Sequence, residues 1–334
     1  METNKDNSIR VLLDSIDHED SSYSIREHCF TGLDQAAFSN FKDKDTHLYS
    51  GKVRDCLVTD KDYTMIHSDR LSAFDRIVTH VPFKGMYLTA INEFWLKKAS
   101  EHVSVCPFTK VDARTIKMKK LTPFKVEVIV RGYLAGSMKR SYEKGEREFC
   151  GHVLEERIPS FGKLPSPIIT PTTKAEALAH DENITPKEVI ANNLCNEEQW
   201  TTICDTALKL FALGADIFAQ KGWILVDTKY EFGFDEAGKI YVMDEVHTPD
   251  SSRLWLKATY EDKLKNKYSP DMFDKEIIRD YLIQQDFMGK GPIPKIPVHK
   301  ITELSRVYLN VTEALLEQPL RYEEPADYKK LIQA

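Results

Sequence analysis

The sequence predicts an α+β fold in two lobes with antiparallel sheets, and three observations carry that expectation. From Leu48 to about Leu121, short β-forming runs (LYSGKVRDCLVTD, YTMIHSD, IVTHVPF) alternate with turn residues around one amphipathic helix, LTAINEFWLKKASEHV. FKVEVIVRGYLAG reads as a buried strand that passes through glycines into the helical stretch SMKRSYEKG. WILVDTKYEFGFDEAGKIYVMDEV gives two strand-like runs around a turn. At 334 residues, with 42% hydrophobic and 29% charged content, the chain can bury a sizeable core and exceeds one typical domain.

Taken in order, residues 1–46 are polar and acidic at first, then weakly amphipathic around SIREHCFTGLDQAAFSNF, and read as an appended segment without chemistry. Residues 47–122 form the small α+β lobe, and 123–334 the larger one. Within the latter, the Pro-rich stretch IPSFGKLPSPIITPTTKAEALAHDENIT is too long for a simple connection and suggests function. It contains Lys174, His180, Asp181 and Glu182, and its lone histidine takes no role. CNEEQWTTICDTALKLFALGADIFAQKG then has helical spacing and ends on a glycine. The cleft between two such lobes is the default place for a site.

Composition narrows the partners. A net charge of -6 and a pI near 6.0 give no overall basic field for nucleic acid or an anionic membrane, so any phosphate must be held by local Lys and Arg, and the substrate is small. The six cysteines are scattered with no C-x-x-C pair, which argues against a disulfide framework or a zinc site and for reduced thiols in the cytoplasm. The charged start METNKDNSIR and the lack of any run near the roughly 20 apolar residues that span a bilayer predict neither a secretion signal nor a membrane anchor. Monomer and homodimer both remain open.

The motifs with chemical content are short. In SGKVRDC, Gly51 lets backbone approach a ligand while Lys52 and Arg54 supply positive charge, although no P-loop pattern is present and, taken alone, the run reads better as a solvated basic turn. VRGYLAGS sets Arg131 after a hydrophobic strand and Ser137 at a helix N-cap, a ready anion site or an ordinary capped turn. TPDSSRLW repeats that logic, with Asp250 or Ser251 as cap and Arg253 as donor. SDRLSAFD mixes Asp69, Arg70, Ser72 and Asp75, which an internal ion pair also explains. In DTKYEFG, Asp227, Lys229 and Glu231 alternate and so share one strand face, where burying three charges without a ligand is costly.

In their order, SGKVRD, SDRLSAFD, the KG of VPFKG, EVIVRGYLAGS, LPSPIITPTTKAE with HDEN, DTKYEFG, DEVHTPDSSRLW and FDKEIIRDYL resemble the SAICAR synthetase family across about residues 47–285. Phe83 stands where the family often has Gly, and His247 where an apolar residue is common. The resemblance implies a two-lobe fold related to kinases and ATP-grasp enzymes, with ATP bound in the interlobe cleft. It implies ATP, magnesium, L-aspartate and carboxyaminoimidazole ribonucleotide (CAIR) as ligands, joined in a C-N ligation that gives SAICAR, ADP and phosphate in purine biosynthesis. At matching positions it assigns Lys52 and Arg54 to ATP phosphates, and Arg131, Ser137 and Arg253 to the phosphate of the nucleotide substrate. Glu231 and Asp244 fall to ATP and its metal, Lys229 to the reacting groups, and Asp227 to the surroundings of metal and substrate. The attacking amine must also lose a proton, and Asp227 is the candidate general base. A small-molecule kinase and a non-enzymatic nucleotide-binding module are the competing readings.

The metal assignment comes with an expected register. If Glu236 and Ala237 form a two-residue hairpin tip, Glu231 stands opposite Val242 and Lys229 opposite Asp244, so that all four charged groups project to one side.

Overall fold

The computed structural model describes residues 8–16, 25, 28–33, 46–174 and 182–324. The chain runs through α1 (Ile9–Ile16), β1 (His47–Ser50), β2 (Arg54–Val58), β3 (Asp62–His67), β4 (Arg70–Ala73), β5 (Arg76–His80), α2 (Lys84–Ser100), β6 (Phe108–Asp112) and β7 (Thr115–Lys119). It continues with β8 (Thr122–Pro123), β9 (Val126–Tyr133), α3 (Gly136–Glu143), β10 (Glu148–Phe149), β11 (His152–Val153) and β12 (Lys163–Thr173). Then come α4 (Pro186–Ala191), α5 (Glu197–Gln220), β13 (Trp223–Phe234), β14 (Ile240–Met243), β15 (Ser252–Leu256), α6 (Lys257–Lys265), α7 (Glu276–Gln284) and α8 (Val298–Leu316). Helices mix with sheets whose named strands pair antiparallel, the α+β class that the sequence predicts.

Two compact units divide the chain along lines other than the expected 1–46, 47–122 and 123–334. The described parts of 1–94, 107–120 and 274–334 make the first, and those of 95–106 and 121–273 the second. The first unit carries the five-stranded sheet β1-β2-β3-β7-β6. Its helical core joins described residues from near both ends of the sequence. In α1, Ile9, Leu13 and Ile16 fall on one face at helical spacing and are fully buried, in one cluster with Tyr87 and Leu88 of α2 and Leu304, Tyr308 and Leu309 of α8. Arg10 pairs with Glu313 and Arg306 with Asp14 at the rim.

The segment before β1 is also tied down by hydrogen bonds. Phe30 N donates to Asp69 Oδ2 at 2.8 Å and Leu33 N to Asp55 Oδ2 at 2.7 Å. Both carboxylates are buried and further held, Asp69 by the Arg114 guanidinium (2.7 and 3.1 Å) and Gly85 N, Asp55 by Arg70 at 2.7 Å. Only glycine fits at 85, since a Cβ there would come within 2.2 Å of the His67 carbonyl. The described residues of the N-terminal segment thus pack into or bond to the first unit's core.

In the second unit the sheet order is β12-β9-β13-β14, with β15 and β8 also on β13. Pairing fixes which residues share a face. Asp227 stands opposite both Arg131 and Arg253, Lys229 opposite Ile129, Ile129 opposite Thr170, and Thr172 opposite Glu127. Since alternate residues share a side, Glu127, Arg131, Thr170, Thr172, Asp227, Lys229, Glu231 and Arg253 all lie on one face. Val128, Val130, Tyr230 and Phe232 lie on the other, buried. There Gly132 leaves room for Phe211 of α5, whose ring a Cβ would meet at 3.0 Å.

The hairpin register differs from the expected one by a single residue: Glu231 faces Met243 and Phe232 faces Val242. The turn is longer than two residues because the Asp235 carboxylate accepts from Ala237 N (3.1 Å) and Lys239 N (3.0 Å), closing a loop between Phe234 and Ile240. A one-residue slip normally turns a side chain to the opposite face. Asp244 escapes that outcome by leaving the strand: β14 ends at Met243, and Asp244 adopts a left-handed φ of 69°.

Candidate active site

One end of the functional face is a guanidinium pair on a shared carboxylate. Asp227 Oδ2 accepts from Arg131 Nη1 at 3.1 Å and Arg253 Nη1 at 2.7 Å. Arg131 Nε donates to Thr170 Oγ1 at 2.8 Å, its Nη2 lies 3.5 Å from Ser137 Oγ, and it stacks over the Phe149 ring at 5.6 Å. Burial pulls the Arg131 pKa below its usual value, with Asp227 acting against that shift and Arg253 with it. Gly136, at φ 57°, is required here: a Cβ would reach the Arg253 guanidinium at 2.7 Å. Two cations against one anion leave one positive charge, and guanidinium geometry suits a phosphate monoester.

Two capping expectations are corrected. The N-cap of α3 is Ala135, without a side-chain cap, so Ser137 sits in the first turn and turns its hydroxyl toward Arg131. No helix begins at Asp250 or Ser251. Residues 248–251 form a turn, with Ser251 N and Ser252 N both on the Thr248 carbonyl, and Arg253 lies in β15 because its cross-strand partner is Asp227.

Toward the other end, Lys229 Nζ donates to Glu127 Oε1 at 2.6 Å and to Glu231 Oε1 at 3.1 Å, while Glu231 Oε2 pairs with Lys174. Burial by itself would lower the Lys229 pKa, but Glu231, Glu127 and Asp244 together outweigh it and hold the ammonium well above its ordinary value. Lys229 is therefore a fixed positive charge at neutral pH, not a base. Asp244 is buried and near enough to Lys229 to contribute to that shift.

The donor chemistry of Glu231 and Asp244 suits magnesium, a hard cation that takes one or two protein carboxylates and draws its other ligands from phosphate and water. Among the described residues no group of three or more His, Cys, Asp or Glu is set to hold an ion, so an all-protein cage is not what this site offers.

The first unit holds the other two expected residues. Lys52 lies in the turn between β1 and β2 and pairs with Asp75, and Arg54 opens β2 opposite His67. Asp75 and Phe74 form a two-residue turn between β4 and β5 in which both residues are left-handed (φ 61° and 52°), the geometry of a tight hairpin. Phe74 is held by Arg279 at 5.3 Å and by the Phe287 ring at 6.2 Å.

The structure thus brings Arg131, Ser137, Arg253 and Asp227 together, and Lys229 with Glu231 and Asp244. It places Asp227 as counter-charge to two guanidiniums, a poor position for the general base expected of it. Sequence reasoning missed Glu127 and Thr170, and gave Lys174 no role. Glu127 does stand four residues before Arg131 in the same strand run, so the alternation that selected Asp227, Lys229 and Glu231 would have selected it too. His180 and Asp181 lie outside the described residues.

A sheet face that carries two guanidiniums on one carboxylate beside a carboxylate–ammonium cluster has the chemistry that phosphate-handling enzymes use. The family model for SAICAR synthetase matches residues 47–293. A putative phosphoribosylaminoimidazole-succinocarboxamide synthase 2 of Mesorhizobium japonicum is 42% identical over 275 residues, covering 80% of this chain and 87% of that protein. The phosphoribosylaminoimidazole-succinocarboxamide synthase of Legionella pneumophila is 38% identical over 280 residues, with coverage of 82% and 89%. Among solved structures, the SAICAR synthase of Saccharomyces cerevisiae complexed with SAICAR superposes with a TM-score of 0.73 at 31% identity, covering 84% of this chain and 98% of that one. The chain belongs to the SAICAR synthetase family.

Proposed function

We propose that the chain joins L-aspartate to CAIR with ATP hydrolysis, through an acyl phosphate of the CAIR carboxylate. As a family member it is an ATP-dependent enzyme of SAICAR formation in purine biosynthesis, and the assignments that follow deepen that statement. The observation that carries them is the convergence of Arg131 and Arg253 on Asp227 along the same face as Lys229, Glu231 and Glu127.

A carboxylate resists an amine because its charge repels the nucleophile and its oxygen leaves poorly, so it must first be phosphorylated. In this reading Arg131, Ser137 and Arg253 hold the 5′-phosphate of CAIR, and Asp227 keeps the two guanidiniums together until that anion arrives. Lys229, fixed as an ammonium, lies against the charge that builds up as the γ-phosphoryl group moves to the carboxylate. Lys52 and Arg54 bind ATP phosphates. Glu231 and Asp244 would hold magnesium, which when bound neutralises phosphate charge. The aspartate amine then attacks the acyl carbon, phosphate leaves, and the amide forms. The small-molecule partners are ATP, CAIR and L-aspartate, and the reaction is placed in the cytoplasm.

Release of ADP with CAIR, in the presence and absence of L-aspartate, tests the reaction. Sustained turnover is expected only with both substrates; equally fast ADP release without L-aspartate would mark a kinase instead. For the anion site, Arg253→Ala removes a charge-assisted contact worth about 1.5–3 kcal/mol. The apparent KM for CAIR should rise by roughly 10- to 150-fold while that for ATP stays nearly constant. Equal changes in both would place Arg253 elsewhere.

A further inference from the structure

We infer that Glu127 is a positioning residue for the reaction, anchoring the Lys229 ammonium on the functional face so that Glu231 is left able to change partners. This rests on the role of Lys229 proposed above. Glu127 and Glu231 are both 8% or less exposed and both reach the same ammonium, at 2.6 and 3.1 Å. Two nearly buried carboxylates side by side repel, and burial of either is costly unless it is paired. A core that only needed a hydrogen-bond partner for Lys229 has one already in Glu231.

The partners of the two carboxylates differ in a way that separates their roles. Glu127 stands opposite Thr172, whose Oγ1 lies 3.4 Å from Glu127 Oε2, and its other oxygen makes the shorter contact to Lys229. Glu231 divides its oxygens between Lys229 and Lys174, whose side chain is 41% exposed. A Glu231 that turns toward a bound cation releases Lys229 from one side. Glu127 then remains as the carboxylate that holds the ammonium both charged and in place, acting through Lys229 without touching substrate.

Glu127→Gln keeps the shape and removes the charge. Its expected signature is a kcat lowered by about 10- to 100-fold, the scale of losing a partner that orients a site residue, with KM values for ATP, CAIR and L-aspartate within about threefold and an unchanged thermal midpoint. Glu127→Asp, which keeps the charge, should recover part of the kcat and serves in its place if the Gln variant fails to fold. Lys229→Met is the control. Wild-type kcat in Glu127→Gln, with Lys229→Met inactive, overturns the role of Glu127 alone. Full activity in Lys229→Met overturns the role of Lys229 and this inference with it.

Discussion

A chain that begins at Thr46 should lose the stability of its first unit, not merely a dispensable extension. Ile9, Leu13 and Ile16 are at most 1% exposed, and each buried aliphatic side chain of this kind contributes about 1.5–3 kcal/mol. Deletion also strips Asp69 and Asp55 of the backbone donors at Phe30 and Leu33, and each buried acceptor left short of a partner costs about 1–3 kcal/mol more. Set against a total stability of about 5–15 kcal/mol, the sum is enough to abolish a cooperative transition. A milder variant, Leu13→Ala, should cost about 2–5 kcal/mol. Calorimetry of the full chain, the truncated chain and Leu13→Ala decides the matter. A truncated chain melting within a few degrees of the full one would show that α1 adds nothing to the core.

Acid should weaken the second unit through His247. The ring is fully buried, 4.6 Å from the Trp95 ring and 5.4 Å from that of Tyr230, and a Cβ at Gly214 would come within 2.5 Å of it. Nε2 lies 3.2 Å from both the Leu210 carbonyl and the Tyr230 hydroxyl, and Nδ1 has no hydrogen-bond partner among the described residues. Burial pushes its pKa down to about 3 from the usual 6.5, with the Leu210 carbonyl acting in the other direction. Between those values the unfolded chain binds the proton that the folded one refuses. The stabilising contribution is therefore complete above about pH 6.5 and is lost as the pH falls, at about 1.4 kcal/mol per unit. His247→Leu removes this linkage. Urea unfolding at pH 7 and pH 4 should show the wild-type chain losing about 3 kcal/mol more than the variant. Identical pH dependence in the two proteins would exclude the buried neutral ring as the cause.

His247 also shows where sequence reading stops. Nothing in DEVHTPD reveals that the ring will lie under α5, because burial depends on Leu210 and Gly214 arriving from a helix 33 or more residues earlier. The hairpin tells the same story at closer range: its turn residues were recognised, but side-chain bonds from Asp235 to two backbone amides lengthened the turn and moved the register by one. The left-handed Asp244 then offset the slip by a backbone conformation that composition does not encode.

The sequence by itself determined that Asp227, Lys229 and Glu231 share a face, because the two-residue period of a strand is a property of local backbone geometry. It also determined that Arg131, with Gly132 beside it, would be available to an anion, since glycine clears space wherever the chain goes. Only the tertiary structure decided that Arg131 and Arg253 meet on Asp227, that Glu127 joins Lys229, and that α1 closes the core against α8. Each of these is a pairing between segments far apart in the chain. Its register and packing are set by the free energy of the whole assembled sheet or core, which no local run of residues contains.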